Sequence, residues 1–189
     1  KVIEVASKKA SDYGKLIGDI LYIGEGSLTD TTLVRKFSAD DPTKVLYETK
    51  SKVIINRNLS LRDAVLDLAH ELTHFTYREA FNPYHAGFGL KDFIISTVEG
   101  KGGEVDAYLV ECQVYFDLFG KTQQGQSNCF RVIDEKSGRV SKEKGVKEFY
   151  RIGDYFKNFQ SDLETQKISV DQISGLSSDE AIFISSAWG

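Results

Sequence analysis

The sequence predicts an α+β fold, and three observations predict it. Apolar residues recur at the helical period over residues 61–81 and again from Glu104 to Phe119. The runs "TTLVRKFSA", "KVLYETK" and "KVIINRN", rich in β-branched and aromatic residues, come before the first of these helices. An apolar content of 41% over 189 residues supplies a sizeable core, and that length predicts a single domain over residues 1–189.

Taken in order, residues 8–23, "KKASDYGKLIGDILYI", predict a helix with Tyr13, Leu16, Ile17, Ile20 and Leu21 facing inward. A strand is expected at "TTLVRKFSA". The runs "KVLYETK" and "KVIINRN" are close enough to form a hairpin turning near Lys50 and Ser51. Ser60, with Asp63 three residues later, has capping-box spacing and opens the next helix. In that helix Leu61, Val65, Leu68, Leu72 and Phe75 form the apolar stripe. Gly102 and Gly103 close a loop before the second long helix, where Val105, Leu109, Cys112, Phe116 and Phe119 line up. Beyond Gly120 a polar loop leads to a short strand "CFRVID" and a charged turn region, "EKSGRVSKEKG". "VKEFYRIGDYFKNFQSDL" reads as a helix burying Phe149, Ile152, Phe156 and Phe159, and a last helix starts at Ser178.

Composition narrows the function classes. A formal net charge of −4, with no basic run interleaved with aromatics, argues against a nucleic-acid partner. No stretch of 18 apolar residues exists to span a membrane. The chain has no methionine even at position 1, which reads as a processed or trimmed chain; no signal peptide is visible, and one could already have been removed. Cys112 and Cys129 can pair in an exported protein or stay reduced, with Cys112 as a small core residue. The balance favours a secreted or periplasmic protein. Oligomeric state is left open.

The chemistry concentrates in "LRDAVLDLAHELTHFTYREAF". Of the chain's three histidines, His70 and His74 lie one helical turn apart with Glu71 between them. Four residues on a helix bring two imidazoles to one face, about 6 Å apart, where both can grip one metal ion. Glu71 points about 100° away from His70 around the axis, so it serves better as a base toward a metal-activated water than as a ligand. The bland alternative is a pair of structural histidines. Uncharged neighbours Leu72, Thr73 and Phe75 suit a buried helix, where two unpartnered imidazoles would be costly. Asp67 is a charged residue where such helices usually carry a small or branched apolar one.

A catalytic zinc takes three protein ligands and a water. His85 lies after Pro83 and close to Gly87 and Gly89, where the chain has left the helix. Glu104, in the first turn of the second helix, is the better third ligand, Glu111 is the runner-up, and Asp106 and His85 follow. H-E-x-x-H followed by a glutamate on a second helix resembles the gluzincin metallopeptidases over roughly residues 45 to 119, and "EVDAY" is similar to their third-ligand segment.

That resemblance implies a zincin-like fold, with a small antiparallel or mixed sheet packed on the two ligand-bearing helices. It implies one Zn2+ per chain held by His70, His74 and Glu104, with Glu71 as catalytic base. It also implies an edge strand above the metal that receives a peptide or protein substrate by strand addition. Tyr108 stands where many gluzincins carry Asp, so Asp106, Glu99 and Glu111 are the candidates to support the histidines. An oxyanion donor is expected from His85, Tyr84, Tyr108, Tyr150 or Tyr155. The expected activity is zinc-dependent peptide-bond hydrolysis. The competing reading is a zincin-fold binding module that grips a peptide or protein without cutting it. Retention of Glu71 weighs against that alternative, since a structural zinc site has no use for it. A deformylase-type site needs an upstream cysteine ligand, and both cysteines lie downstream.

Overall fold

The structure, a computed structural model, describes residues 1–11, 13–41, 43–82, 86–121 and 127–152. The chain forms two compact units, Lys1–Phe130 and Arg131–Gly189.

The first unit is a mixed α+β assembly. It runs α1 (Val2–Lys9), α2 (Tyr13–Lys15, continuing as a π-helical turn Leu16–Ile20), β1 (Leu21–Gly24), β2 (Leu28–Phe37) and β3 (Val45–Asn56). Then come α3 (Leu61–Tyr77), α4 (Leu90–Ile94, continuing as a π turn Ile95–Glu99), α5 (Glu104–Phe119) and the start of a 3-10 turn, Asn128–Val132. The sheet order is β1-β3-β2, with β1 parallel and β2 antiparallel to β3, so β2 is an edge strand. Among the described residues no helix is long and apolar enough to cross a membrane.

The helix expected over residues 8–23 is broken. Ser11 sits at φ 77°, a left-handed conformation that an α-helix cannot carry, and the chain restarts at Tyr13. Leu16 is fully buried and Ile20 packs against the core, but Ile17 is half exposed, and Leu21 already belongs to a strand. The periodicity of residues 16–21 reflects a tight turn feeding β1 rather than a straight helix.

The hairpin also differs. Lys50 and Ser51 do not turn: they lie mid-way along β3, opposite Thr32 and Thr31. Ladder pairing rather than local propensity decides this, and the turn falls at Asp41, a strong turn former. Its carboxylate accepts hydrogen bonds from Thr43 N at 3.0 Å and Thr43 Oγ1 at 2.6 Å, and the Ser38 N–H closes the loop onto Lys44 O at 3.1 Å. The true hairpin therefore joins β2 to β3, with a ladder from Leu28↔Ile54 to Phe37↔Val45.

Helix α3 starts where the cap places it: Ser60 Oγ accepts the Asp63 N–H at 3.2 Å. It ends at Tyr77, short of Phe81, because Arg78 turns to an extended conformation at ψ 125°. Leu72 and Phe75 are buried against Val53 and Ile55 of β3, together with Ala6, Ala10 and Leu16. Leu61 is 83% exposed, so the apolar stripe begins after it. Helix α5 packs along α3 and spans the predicted residues, burying Val105, Ala107, Leu109, Cys112, Tyr115 and Phe116.

The expected strand "CFRVID" instead opens as the 3-10 turn. Cys129 is bonded to Cys112 on α5, and Phe130 meets the rings of Tyr115 and Phe116 edge-on, so this segment is pulled round rather than extended. In the second unit, Ile133 makes a single bridge to Val140 around a turn closed by Gly138 at φ 65°. Helix α6 (Lys142–Ile152) follows, with Phe149 half-buried. The expected positions Phe156, Phe159 and the helix from Ser178 lie outside the described residues.

Leu72→Ala should destabilise the protein by about 2–5 kcal/mol, the usual cost of emptying a filled core site. Leu61→Ala should stay within about 0.5 kcal/mol, as for other exposed positions. Urea unfolding followed by circular dichroism checks the contrast, and equal losses would contradict this packing.

Candidate metal centre

The site is built where α3 and α5 face each other. One helical turn separates His70 and His74, and their ring centroids lie 4.8 Å apart at an interplanar angle of 78°. Glu104 opens α5 directly opposite. Its Oε2 lies 3.3 Å from His70 Nε2 and 3.3 Å from His74 Nε2. Ligand atoms of these three residues lie within 4.8 Å of one another.

The other side of each ring is tied back. Glu111 Oε2 meets His70 Nδ1 at 3.1 Å. The Gly102 carbonyl meets His74 Nδ1 at 2.8 Å. With each Nδ1 carrying the proton, each Nε2 presents a lone pair to the space beside Glu104, the arrangement found behind metal-ligating histidines. Arg78 Nη2 also lies 2.9 Å from His74 Nδ1. Its two protons go to Glu104 Oε1 at 2.8 Å and Thr97 O at 3.1 Å, so that imidazole nitrogen donates to Gly102.

The donor types, two imidazoles and a carboxylate, suit a small divalent cation such as zinc. Ligand atoms at about 2.0–2.1 Å from a tetrahedral ion stand about 3.3 Å apart; both Nε2 atoms lie at that distance from Glu104 Oε2, within a set that spans up to 4.8 Å. Charge fits as well. With neutral imidazoles, Glu104 and Glu111 outweigh Arg78 by one negative charge, and without an ion that charge is balanced by a proton. Burial alone would lower the His70 pKa, but the carboxylates of Glu104 and Glu111 overcome it and raise the pKa to about 10. Burial would push the Glu104 carboxyl up, yet the hydrogen bonds of His70 and His74 and the charges of His74 and Arg78 hold it well below the usual carboxylate range. A cation held by these residues would take the place of that proton.

The loop before α5 makes this meeting possible. Gly102 sits at φ 72°, and a Cβ there would overlap the backbone of Tyr77 and Arg78. Only glycine brings the Gly102 carbonyl this close to the end of α3. Asp106, a candidate support for the histidines, acts one step removed: its Oδ2 accepts the Gly102 N–H at 3.0 Å.

Glu71 is 8% exposed and faces the sheet. Thr29 on edge strand β2 places its hydroxyl 2.7 Å from Glu71 Oε2 and 2.9 Å from Glu71 O. Of the two contacts, the shorter one goes to the side-chain oxygen Oε2. Beside the site, a cavity of about 970 Å³ is lined by Thr29, Thr31, Ser51, His74, Arg78 and Lys101, among others.

The structure thus brings together His70, His74, Glu104 and Glu111, and places Asp106 behind them. His85, Tyr84 and Tyr155 lie outside the described residues. Tyr108 is on α5, one turn after Glu104, and Tyr150 is on α6 in the second unit. Sequence reasoning missed Thr29 and Arg78. Thr29 is 42 residues from Glu71 and carries no local signal; Arg78 lies one turn beyond His74, a spacing that would have placed it next to that histidine. Comparison with family models, curated proteins and solved structures found no match to the chain.

Two substitutions follow from the two faces of the rings. Glu104→Ala should weaken binding of a divalent probe by more than about 100-fold, leaving a measurable residue from the two histidines, because it removes the group facing both Nε2 atoms. Glu111→Ala should weaken binding by about 10–100-fold, the usual effect of losing an outer partner of a ligand. Titration of the purified variants with Zn2+ or Co2+ gives the ranking, and the reverse order would exchange the two roles.

Proposed function

We propose that the protein is a zinc-dependent hydrolase of peptide bonds, of the gluzincin type. One observation carries this reading: both histidine Nε2 atoms face a single carboxylate oxygen, and the glutamate between those histidines is oriented separately by the edge strand. A merely structural metal site would have no use for the second feature.

His70, His74 and Glu104 would hold the ion. When bound, Zn2+ supplies Lewis acidity toward the scissile carbonyl and lowers the pKa of an attacking water. Glu71 accepts the proton of that water through Oε1 and returns it to the leaving amine. Thr29 holds Oε2, so the carboxylate does not have to be oriented at the moment of reaction. Substrate backbone would add along β2, whose outer edge is the antiparallel edge of the sheet. The neighbouring cavity has room for substrate side chains. The Cys112–Cys129 disulfide supports an exported, oxidising setting for this activity.

Glu71→Gln tests the proposal. Glutamine preserves shape but cannot take a proton, so zinc content and fold should be retained while kcat falls by at least about 10²–10⁴-fold. Cleavage of a broad peptide library by the two forms gives the answer. Undiminished turnover by the variant would remove Glu71 as base. A zinc-loaded wild type that cleaves nothing but still binds peptides would favour a zincin-fold binding module.

Thr29→Val gives a milder effect at the same step. Loss of the hydroxyl should lower kcat with little change in KM, since Thr29 touches the base rather than the substrate. Steady-state kinetics of the variant beside wild type check it, and an effect confined to KM would place Thr29 in substrate binding instead.

A further inference from the structure

We infer that Arg78 is a positioning residue that commits Glu104 to ligation through one oxygen and so keeps a coordination position free; the inference rests on the metal-site reading above. A carboxylate beside a cation can bind through one oxygen or both. Here the choice is built into the protein. Arg78 Nη2 takes Glu104 Oε1 at 2.8 Å, and Oε2 is left facing the two imidazoles.

The guanidinium is itself held on three sides. Nη2 donates to Thr97 O at 3.1 Å, at the π turn after α4, and Nε donates to Gly102 O at 3.3 Å, in the loop before α5. The rigid planar fork of arginine can serve all three acceptors at once, which a lysine ammonium on a flexible stem cannot. Arg78 is able to reach them because it is the first residue past the end of α3, where the backbone turns extended. The side chain is about one-fifth exposed, so its charge acts on Glu104 with little screening from water.

The consequence is chemical. A catalytic ion with three protein ligands needs its fourth position for water or substrate. A Glu104 free to swing would offer both oxygens and crowd that position. Arg78 occupies one oxygen and draws negative charge from the other, which leaves the ion more electrophilic. Arg78 touches neither substrate nor ion in this scheme; it acts through Glu104.

Co2+ in place of zinc reports coordination directly. The full-length protein loaded with Co2+ should show the intense visible bands of a four-coordinate site. Arg78→Ala should show weaker bands typical of higher coordination, with affinity for Zn2+ reduced by about 10–100-fold. Arg78→Lys should recover part of the affinity but keep the altered spectrum, because it restores charge without the fork. In the Glu104→Ala background, Arg78→Ala should change Zn2+ affinity less than about twofold, since coupled residues lose their effect once the partner is gone.

An unchanged spectrum and affinity in both Arg78 variants would overturn the inference while leaving the metal site standing. So would an undiminished effect of Arg78→Ala in the Glu104→Ala background, which would make its role structural. Failure of the wild type to bind Co2+ or Zn2+ at all would instead remove the site and the inference together. Should Arg78→Ala not fold by circular dichroism, the lysine variant's spectrum alone decides between these outcomes.

Discussion

The candidate site depends on one close approach of backbone to side chain: the Gly102 carbonyl 2.8 Å from His74 Nδ1. That contact sets the tautomer of His74 and the distance between the end of α3 and the start of α5. It requires a residue with no Cβ, in a conformation that favours glycine, because the backbone of Tyr77 and Arg78 fills the space where a side chain would go. From there the geometry propagates. Gly103 caps α5, Glu104 falls in its first turn, and Glu111 two turns later reaches the other histidine. Asp106 closes the loop back onto the Gly102 N–H. The first turn of α5 is also where a carboxylate is favoured by the helix dipole, so Glu104 stays ionised at modest cost.

Electrostatics explains why such a cluster is stable inside a protein. Each buried charge has a partner: Glu104 has Arg78 and both imidazoles, and Glu111 has His70. Without an ion, His70 holds its proton firmly, with a pKa raised to about 10 against the pull of burial. A folded-state pKa above the unfolded value means that protonation stabilises the fold below the unfolded pKa of 6.5, and that this contribution is lost as pH rises towards about 10. A cation held by His70, His74 and Glu104 would replace that proton, so metal and acid would compete for one arrangement of side chains.

Around this cluster the fold supplies two kinds of rigidity. The sheet, through Val53 and Ile55, holds α3 from one side, and α5 packs along it from another. The bond between Cys112 and Cys129 fixes α5 one residue beyond Glu111, and the rings of Tyr115, Phe116 and Phe130 pack beside it. The edge strand contributes differently. On one of its faces Asp30 pairs with Lys52 of β3 at 3.2 Å, and on the other Thr29 and Thr31 lie side by side, with Thr31 meeting Ser51 of β3 at 3.0 Å. Thr29 lies over α3, and its hydroxyl is where the sheet meets the Glu71 carboxylate.

Local spacing in the sequence determined the helix of His70 and His74, its cap at Ser60, the start of α5 at Glu104 and the candidate pairing of these residues with one ion, because all of these follow from one-turn periodicity or from residues next to one another in the chain. The sequence alone did not decide where the hairpin turns, where the first helix breaks or whether the cysteines bond, since a strand pattern does not name its partner and a thiol does not name its distance. Only the tertiary structure decided that Glu104 takes the Nε2 side and Glu111 the Nδ1 side, and that Thr29 and Arg78 hold the carboxylates of Glu71 and Glu104. The physical reason is that a helix fixes the directions of its own side chains, whereas what meets them depends on packing between segments far apart in the chain.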